Sequence, residues 1–272
     1  MWAWRGGIRR VTAIVALLAS AVAVFAADAL FPRPLHITRR IEDPVSHATT
    51  VVQEYCAGNQ VITISGDRIT IADHGRQELT EIDRAAGTYS VTTFAALAEA
   101  SMAARPLARH AVAEAANQER WTATARASDA FDITFATAAA GTPAKMQVAL
   151  DRNVLLSKAA LEVLIGAAFP HPHTDVHEAI LNVAASAPGG GNRRVTGSGA
   201  DASYALPVEQ SVTFNVDGQS LTVTSTVIDV RAEAAPPGTV TIPPGARLVE
   251  SNAVRLAREL RDADQLPNAP RP

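Results

Sequence analysis

A single cysteine, Cys56, stands in a chain of 272 residues. No disulfide can form within the chain, and no zinc site built on two or more cysteines can be assembled. Lysine is almost missing as well, with Lys145 and Lys158 set against 22 arginines, and the formal net charge is −3. That balance gives no basic excess of the kind that draws a protein to nucleic acid. Aromatic residues make up only 5% of the chain, while alanine supplies 54 positions. The 47% apolar content therefore overstates the bulky side chains available for a core, although with 19% charged residues it still excludes a disordered chain. Long apolar runs are absent beyond residue 27, and so are H-E-x-x-H, G-K-[ST] and G-x-S-x-G.

What is present begins at the N-terminus. Arg5, Arg9 and Arg10 precede an unbroken apolar run from Val11 to Ala27, and small residues lead into Asp28. This order is that of a secretory signal, with Val24 and Ala26 at the −3 and −1 positions and cleavage after Ala26. The alternative is an uncleaved inner-membrane anchor over residues 11–27, since the run approaches the ~20 residues that span a bilayer. The expected location is periplasmic or extracellular.

Four segments follow from composition: a signal peptide at 1–26, an extended, proline-bearing leader at 27–46, a β-rich domain at 47–248, and a C-terminal helix and tail at 249–272. Within the domain, QVITIS and RITIAD flank a Gly66-Asp67 turn and set Ile62, Ile64, Ile69 and Ile71 on one face of a hairpin. A second pair, QELTEID and TYSVTTF, extends it to a meander. Further strands are expected near 120–126, 130–137 and 145–150. The strongest hairpin is VEQSVTFNV-DG-QSLTVTSTVIDV, with Val208, Val212 and Phe214 on its apolar side and a bulge where the alternation changes parity after Ser225. TVTIP at 239–243 suggests one more strand. Helical periodicity marks 154–168, 175–186 and 249–264, and the alanine-rich stretch 95–119 is helical but split at Pro106.

The Gly66-Asp67-Arg68 turn, Asp83 and the Thr88-Tyr89-Ser90 strand, followed by helices and later by VDGQSLTVTSTV and IPPGARLV, resemble small exported bacterial proteins related to the periplasmic lipoprotein carriers and sorting proteins. The resemblance covers about residues 47–248. It implies an α+β fold in which a curved antiparallel sheet, a half-barrel, is covered on one face by helices and holds an acyl chain in its concavity.

Among chemical candidates, His171, His173 and His177 lie with Asp175 and Glu178 in a short stretch that could hold a cation such as zinc. Thr174 or Asp175 can equally cap the helix that follows, which makes these histidines a polar helix entry. Cys56 alternates with apolar neighbours and reads as a buried thiol. The Gly189–Gly191 run lacks the lysine of a phosphate loop.

The expected function is non-catalytic binding of a lipid or lipoprotein acyl chain in a half-barrel cleft lined by Ile62, Ile64, Ile69, Ile71, Val212 and Phe214. One alternative is a sensing module that binds a protein partner, and a second is a metal-dependent hydrolase at His171–His177. No cofactor and no nucleic acid are expected, and membrane contact is expected only through the signal or anchor segment.

Overall fold

A computed structural model describes residues 29–43, 48–103, 121–136, 143–168, 174–185, 203–216 and 219–264. Twelve strands form one sheet: β1 (Phe31–Glu42), β2 (Thr49–Gly58), β3 (Gln60–Ser65), β4 (Arg68–Asp73), β5 (Glu78–Asp83), β6 (Thr88–Thr93), β7 (Trp121–Ala127), β8 (Ala130–Phe135), β9 (Pro143–Leu156), β10 (Tyr204–Val216), β11 (Gln219–Arg231) and β12 (Arg247–Leu248). Among the described residues four helices accompany them: α1 (Phe94–Ala103), α2 (Lys158–Ala168), α3 (Thr174–Ala185) and α4 (Asn252–Asp264). The strand order is β12-β6-β5-β4-β3-β2-β1-β11-β10-β9-β8-β7, antiparallel throughout except for the short parallel pair β12·β6.

The half-barrel expectation is corrected here, and the resemblance that implied it falls too. The sheet is open and mixed, ending at β12 on one side and β7 on the other, with no closed or strongly curved barrel. The α+β content is as expected, but its geometry is not.

Register explains why the apolar hairpins do not share a concavity. Residues directly opposite one another in an antiparallel pair lie on the same face. Ile62 pairs with Ile71 and with Tyr55, Ile64 pairs with Ile69, and Tyr55 pairs with His36. On the other face, Ile37 pairs with Glu54 and Val230, Ser225 with Ile41 and Gln210, and Val212 with Val223 and Met146. The sheet therefore exchanges its buried face across its width. Its β8–β10 wing packs Ile133, Met146, Val148 and Val212 against Ile180 and Val183 of α3 and Leu161 and Ile165 of α2. Its β3–β5 wing buries Ile62, Ile69 and Ile82 with Tyr55 on the opposite side, where Ala235 of the segment after β11 packs on them. A third cluster joins Ile37, Cys56, Val61 and Leu206 to Ala160 and Leu164 of α2.

Local signals explain the element ends. Gly66 takes φ 58° at the β3–β4 turn, a conformation that favours glycine. Thr93 Oγ1 accepts the Ala96 N–H at the start of α1, and Ser157 Oγ accepts that of Ala160 at the start of α2. Residues 154–156, expected to open a helix, instead complete β9, because Ser157 caps α2 only after them. β1 occupies the stretch expected to be a leader. Pro32 and Pro34 fall where its pairing with β2 breaks register between Phe31 and Leu35, the one part of a central strand that can spare a ladder donor. Residues 239–243 form no strand, with a turn at 239–240. The bulge after Ser225 is present: β1 and β11 shift register between Thr38 and Arg39, leaving Ile228 unpaired.

Candidate functional site

Arg39, Glu54, Gln210 and Ser225 are each 1% exposed, and all four lie on the helix-covered face of strands β2-β1-β11-β10. Arg39 Nε donates to Glu54 Oε2 at 2.7 Å. Gln210 stands directly opposite Ser225, and Ser225 stands opposite Ile41, two residues along the same row from Arg39. Neighbours on such a diagonal are about 7–8 Å apart at Cα, within reach of an arginine side chain.

Each of these residues interrupts an apolar row. Arg39 stands between Ile37 and Ile41, Glu54 between Val52 and Cys56, Gln210 between Val208 and Val212, and Ser225 between Val223 and Val227. Sequence reasoning missed the cluster, although this interruption, repeated on four neighbouring strands, was a signal that could have found it.

Hydrogen bonding within the cluster is incomplete. Arg39 Nη1, Gln210 Oε1 and Ser225 Oγ are buried and have no hydrogen-bond partner among the described residues. Buried polar atoms are nearly always paired, so three orphans on consecutive strands of one face form an unusual concentration. Cys56 adjoins the pair on β2. Burial, then the Glu54 charge, push its thiol up to about 12, with Arg39 acting weakly the other way. A thiol held protonated at neutral pH is no nucleophile.

The structure divides the sequence-derived residues. Ile62, Ile64, Ile69 and Ile71 gather under Ala235, whereas Val212 and Phe214 pack with the helix-side cluster. Lying on opposite faces, the six cannot line one cleft, and no half-barrel cleft is present to hold an acyl chain. The lipid-carrier function, with its lipid and lipoprotein partners, is thereby corrected. The metal-hydrolase alternative falls largely outside the described residues, among which no group of three His, Cys, Asp or Glu side chains could hold a metal ion. His171 and His173 lie outside the described residues, and His177 sits on α3. The anchor segment at 11–27 also lies outside them, and among the described residues no helix is long and apolar enough to cross a membrane. The expected membrane contact thus has no anchoring element in the described fold.

No family model matches the chain, and no curated protein matches it. Among solved structures, an uncharacterized conserved protein from Thermus thermophilus is similar at 8% identity and a TM-score of 0.41, over 86% of this chain and 99% of that one. PNGF-II, in two crystal forms, is similar at 8% identity with TM-scores of 0.35 and 0.36, over 85% of this chain and about a third of its own. At these scores the likenesses carry no argument about fold or function.

Proposed function

We propose that the protein is an exported binding protein that takes up a small, uncharged polar group at Arg39, Ser225 and Gln210. The observation that carries this reading is the set of three buried, unpaired polar atoms on neighbouring strands of one face. Their chemistry selects the ligand class. Glu54 already offsets the Arg39 charge, so an added anion would leave an uncompensated buried charge, which is strongly unfavourable. A hydroxyl or carboxamide both donates and accepts. It can accept from Arg39 Nη1, donate to Gln210 Oε1 and exchange either way with Ser225 Oγ. The protonated state of Cys56 favours binding over covalent chemistry at this place. Export rests on Arg5, Arg9, Arg10 and the apolar run to Ala27.

The test is an NMR titration of the full chain with acetamide and, separately, acetate, followed at the Arg39 Nε and Gln210 side-chain resonances. The expected result is saturable shifts with acetamide, weaker ones with acetate, and loss of both in Ser225→Ala. Unmoved resonances together with one long-lived water contacting all three groups would make the cluster a structural device and end the binding reading.

A further inference from the structure

On the opposite face of the sheet, His36 of β1 is 8% exposed and stacks on Tyr55 of β2, with ring centroids 4.0 Å apart and planes 12° from parallel. Both imidazole nitrogens are buried without a hydrogen bond among the described residues. Glu233 Oε2 lies 3.5 Å from His36 Nδ1, close enough for an ion pair but outside hydrogen-bond geometry.

Glu233 belongs to a strap, residues 232–246, that runs from the end of β11 to β12. Six strands lie between those two in the sheet, a distance of about 34 Å at the usual strand spacing. The strap must therefore cross the face that carries the isoleucines, and Ala235 packs on their cluster. Among the described residues, its backbone hydrogen bonds close only its own turns, Thr239 to Pro236, Thr241 to Gly238 and Ala246 to Pro243. The sheet ladder takes the chain up again at Arg247 and Val249, whose N–H groups reach Gly87 and Tyr89. Between its ends the strap is fastened by side chains alone.

We propose that His36 and Glu233 form a pH-sensitive latch, in which the protonated imidazole holds the strap against the isoleucine face and the neutral imidazole releases it. The charges around His36 support this assignment. On β11, Arg231 stands directly opposite His36, but its Nε is engaged by Asp229 at 2.7 Å. Farther along β1, Arg40 and Glu42 pair with each other at 3.6 Å. On β2 the facing group is the Tyr55 ring, which stacks on the imidazole. Among the described residues Glu233 is the carboxylate that reaches His36, so a proton on His36 gains an ion-pair partner on the strap. Without that proton the contact is a carboxylate beside a neutral ring with an unused N–H.

The experiment measures strap amide protection by hydrogen exchange in the full chain, corrected for intrinsic rates, between about pH 5.5 and about pH 8, on either side of the ordinary histidine pKa near 6.5. Protection over 232–246 is expected to fall about fivefold as pH rises, the upper range for a half-exposed ion pair. The Arg247 and Val249 amides should hold theirs. Glu233→Gln, at a side chain 50% exposed where folding is not at stake, should remove the slope, and His36→Gln should give the same flat profile. A flat profile in the unaltered protein, or a slope that survives Glu233→Gln, would overturn the latch.

Discussion

Arg39 and Glu54 meet across β1 and β2 at 2.7 Å, with 2% and 1% of their side chains exposed. In the ladder each stands beside the other's partner, since Arg39 is opposite Val52 and Glu54 is opposite Ile37. Their contact therefore ties a diagonal of the two central strands. A one-residue slip that sets His36 opposite Glu54 would carry Arg39 to the other face and leave Thr38 in its place beside the buried Glu54. In such surroundings a charge pair adds little net stability, because desolvation offsets the attraction. It does penalise the wrong register heavily.

Removing one partner should then cost far more than removing both. Glu54→Leu or Arg39→Met alone is expected to destabilise the fold by about 3–5 kcal/mol, with the double replacement recovering most of that loss. Urea unfolding of the three variants measures it. A double variant as weak as the worse single one would show that Arg39 is held by more than Glu54.

The same sheet region sets the behaviour of Cys56, which is fully buried, with its thiol pushed to about 12 from 9.0 by burial first and Glu54 second. A folded pKa raised above the unfolded one means that the folded state binds the proton more tightly. The associated stability is complete below about pH 9 and drains away as pH rises toward about 12. Cys56→Ser or Cys56→Ala should flatten that part of the stability profile, and an aromatic disulfide reagent at about pH 8 should label the unaltered protein only at the rate of global unfolding. Rapid labelling of the native state would contradict the burial.

Much of the local structure could be read from the chain. The alternation in QVITIS and RITIAD predicts the pairing of Ile62 with Ile71 and Ile64 with Ile69, and the turn needs Gly66 in the left-handed region. The parity change after Ser225 marks a true bulge. Alternation shows that a hairpin has one apolar side without saying which side of the sheet that is. That single missing sign separates one lined cleft from two cores facing opposite ways. Prolines at 32 and 34 hid the central strand β1, because the irregular register that tolerates them exists only once β2 is in place. The polar cluster was hidden for a related reason: Arg39, Glu54 and Gln210 are types that usually face solvent, and only pairing across strands puts them on a buried row.

At the far edge of the sheet, Glu81 Oε2 accepts from Ser90 Oγ and Ser251 Oγ, both at 3.0 Å. Ser251 is 4% exposed and immediately precedes α4, and its carbonyl accepts the Arg255 N–H. Its hydroxyl fastens the helix to β5 through a charged acceptor. Ser251→Ala should cost about 1.5–3 kcal/mol, the range for hydrogen bonds to charged groups. Loss of protection in α4 and in α1, which packs against it, should accompany that change. Unchanged exchange in both helices would mean that packing alone, including the buried Ala100 and Ala257, holds this corner.

The two-sided core makes a quantitative claim about Ile69 and Val212, each 1% exposed. Ile69 lies on β4 under the strap and Val212 on β10 under the helices, with four strands between them. At the usual spacing that is about 24 Å, well beyond the range at which substitutions couple. Ile69→Ala should cost about 2–5 kcal/mol by removing packing atoms and leaving a cavity, and Val212→Ala about 1.5–3 kcal/mol. The double variant should lose the sum to within ~0.5 kcal/mol by chemical denaturation. Each single change should also loosen exchange on its own side first, Ile69→Ala around β3–β5 and Val212→Ala around β8–β10 and α3. A coupling above ~1 kcal/mol would mean that the two side chains share one packed interior, in conflict with the registers that set them on opposite faces.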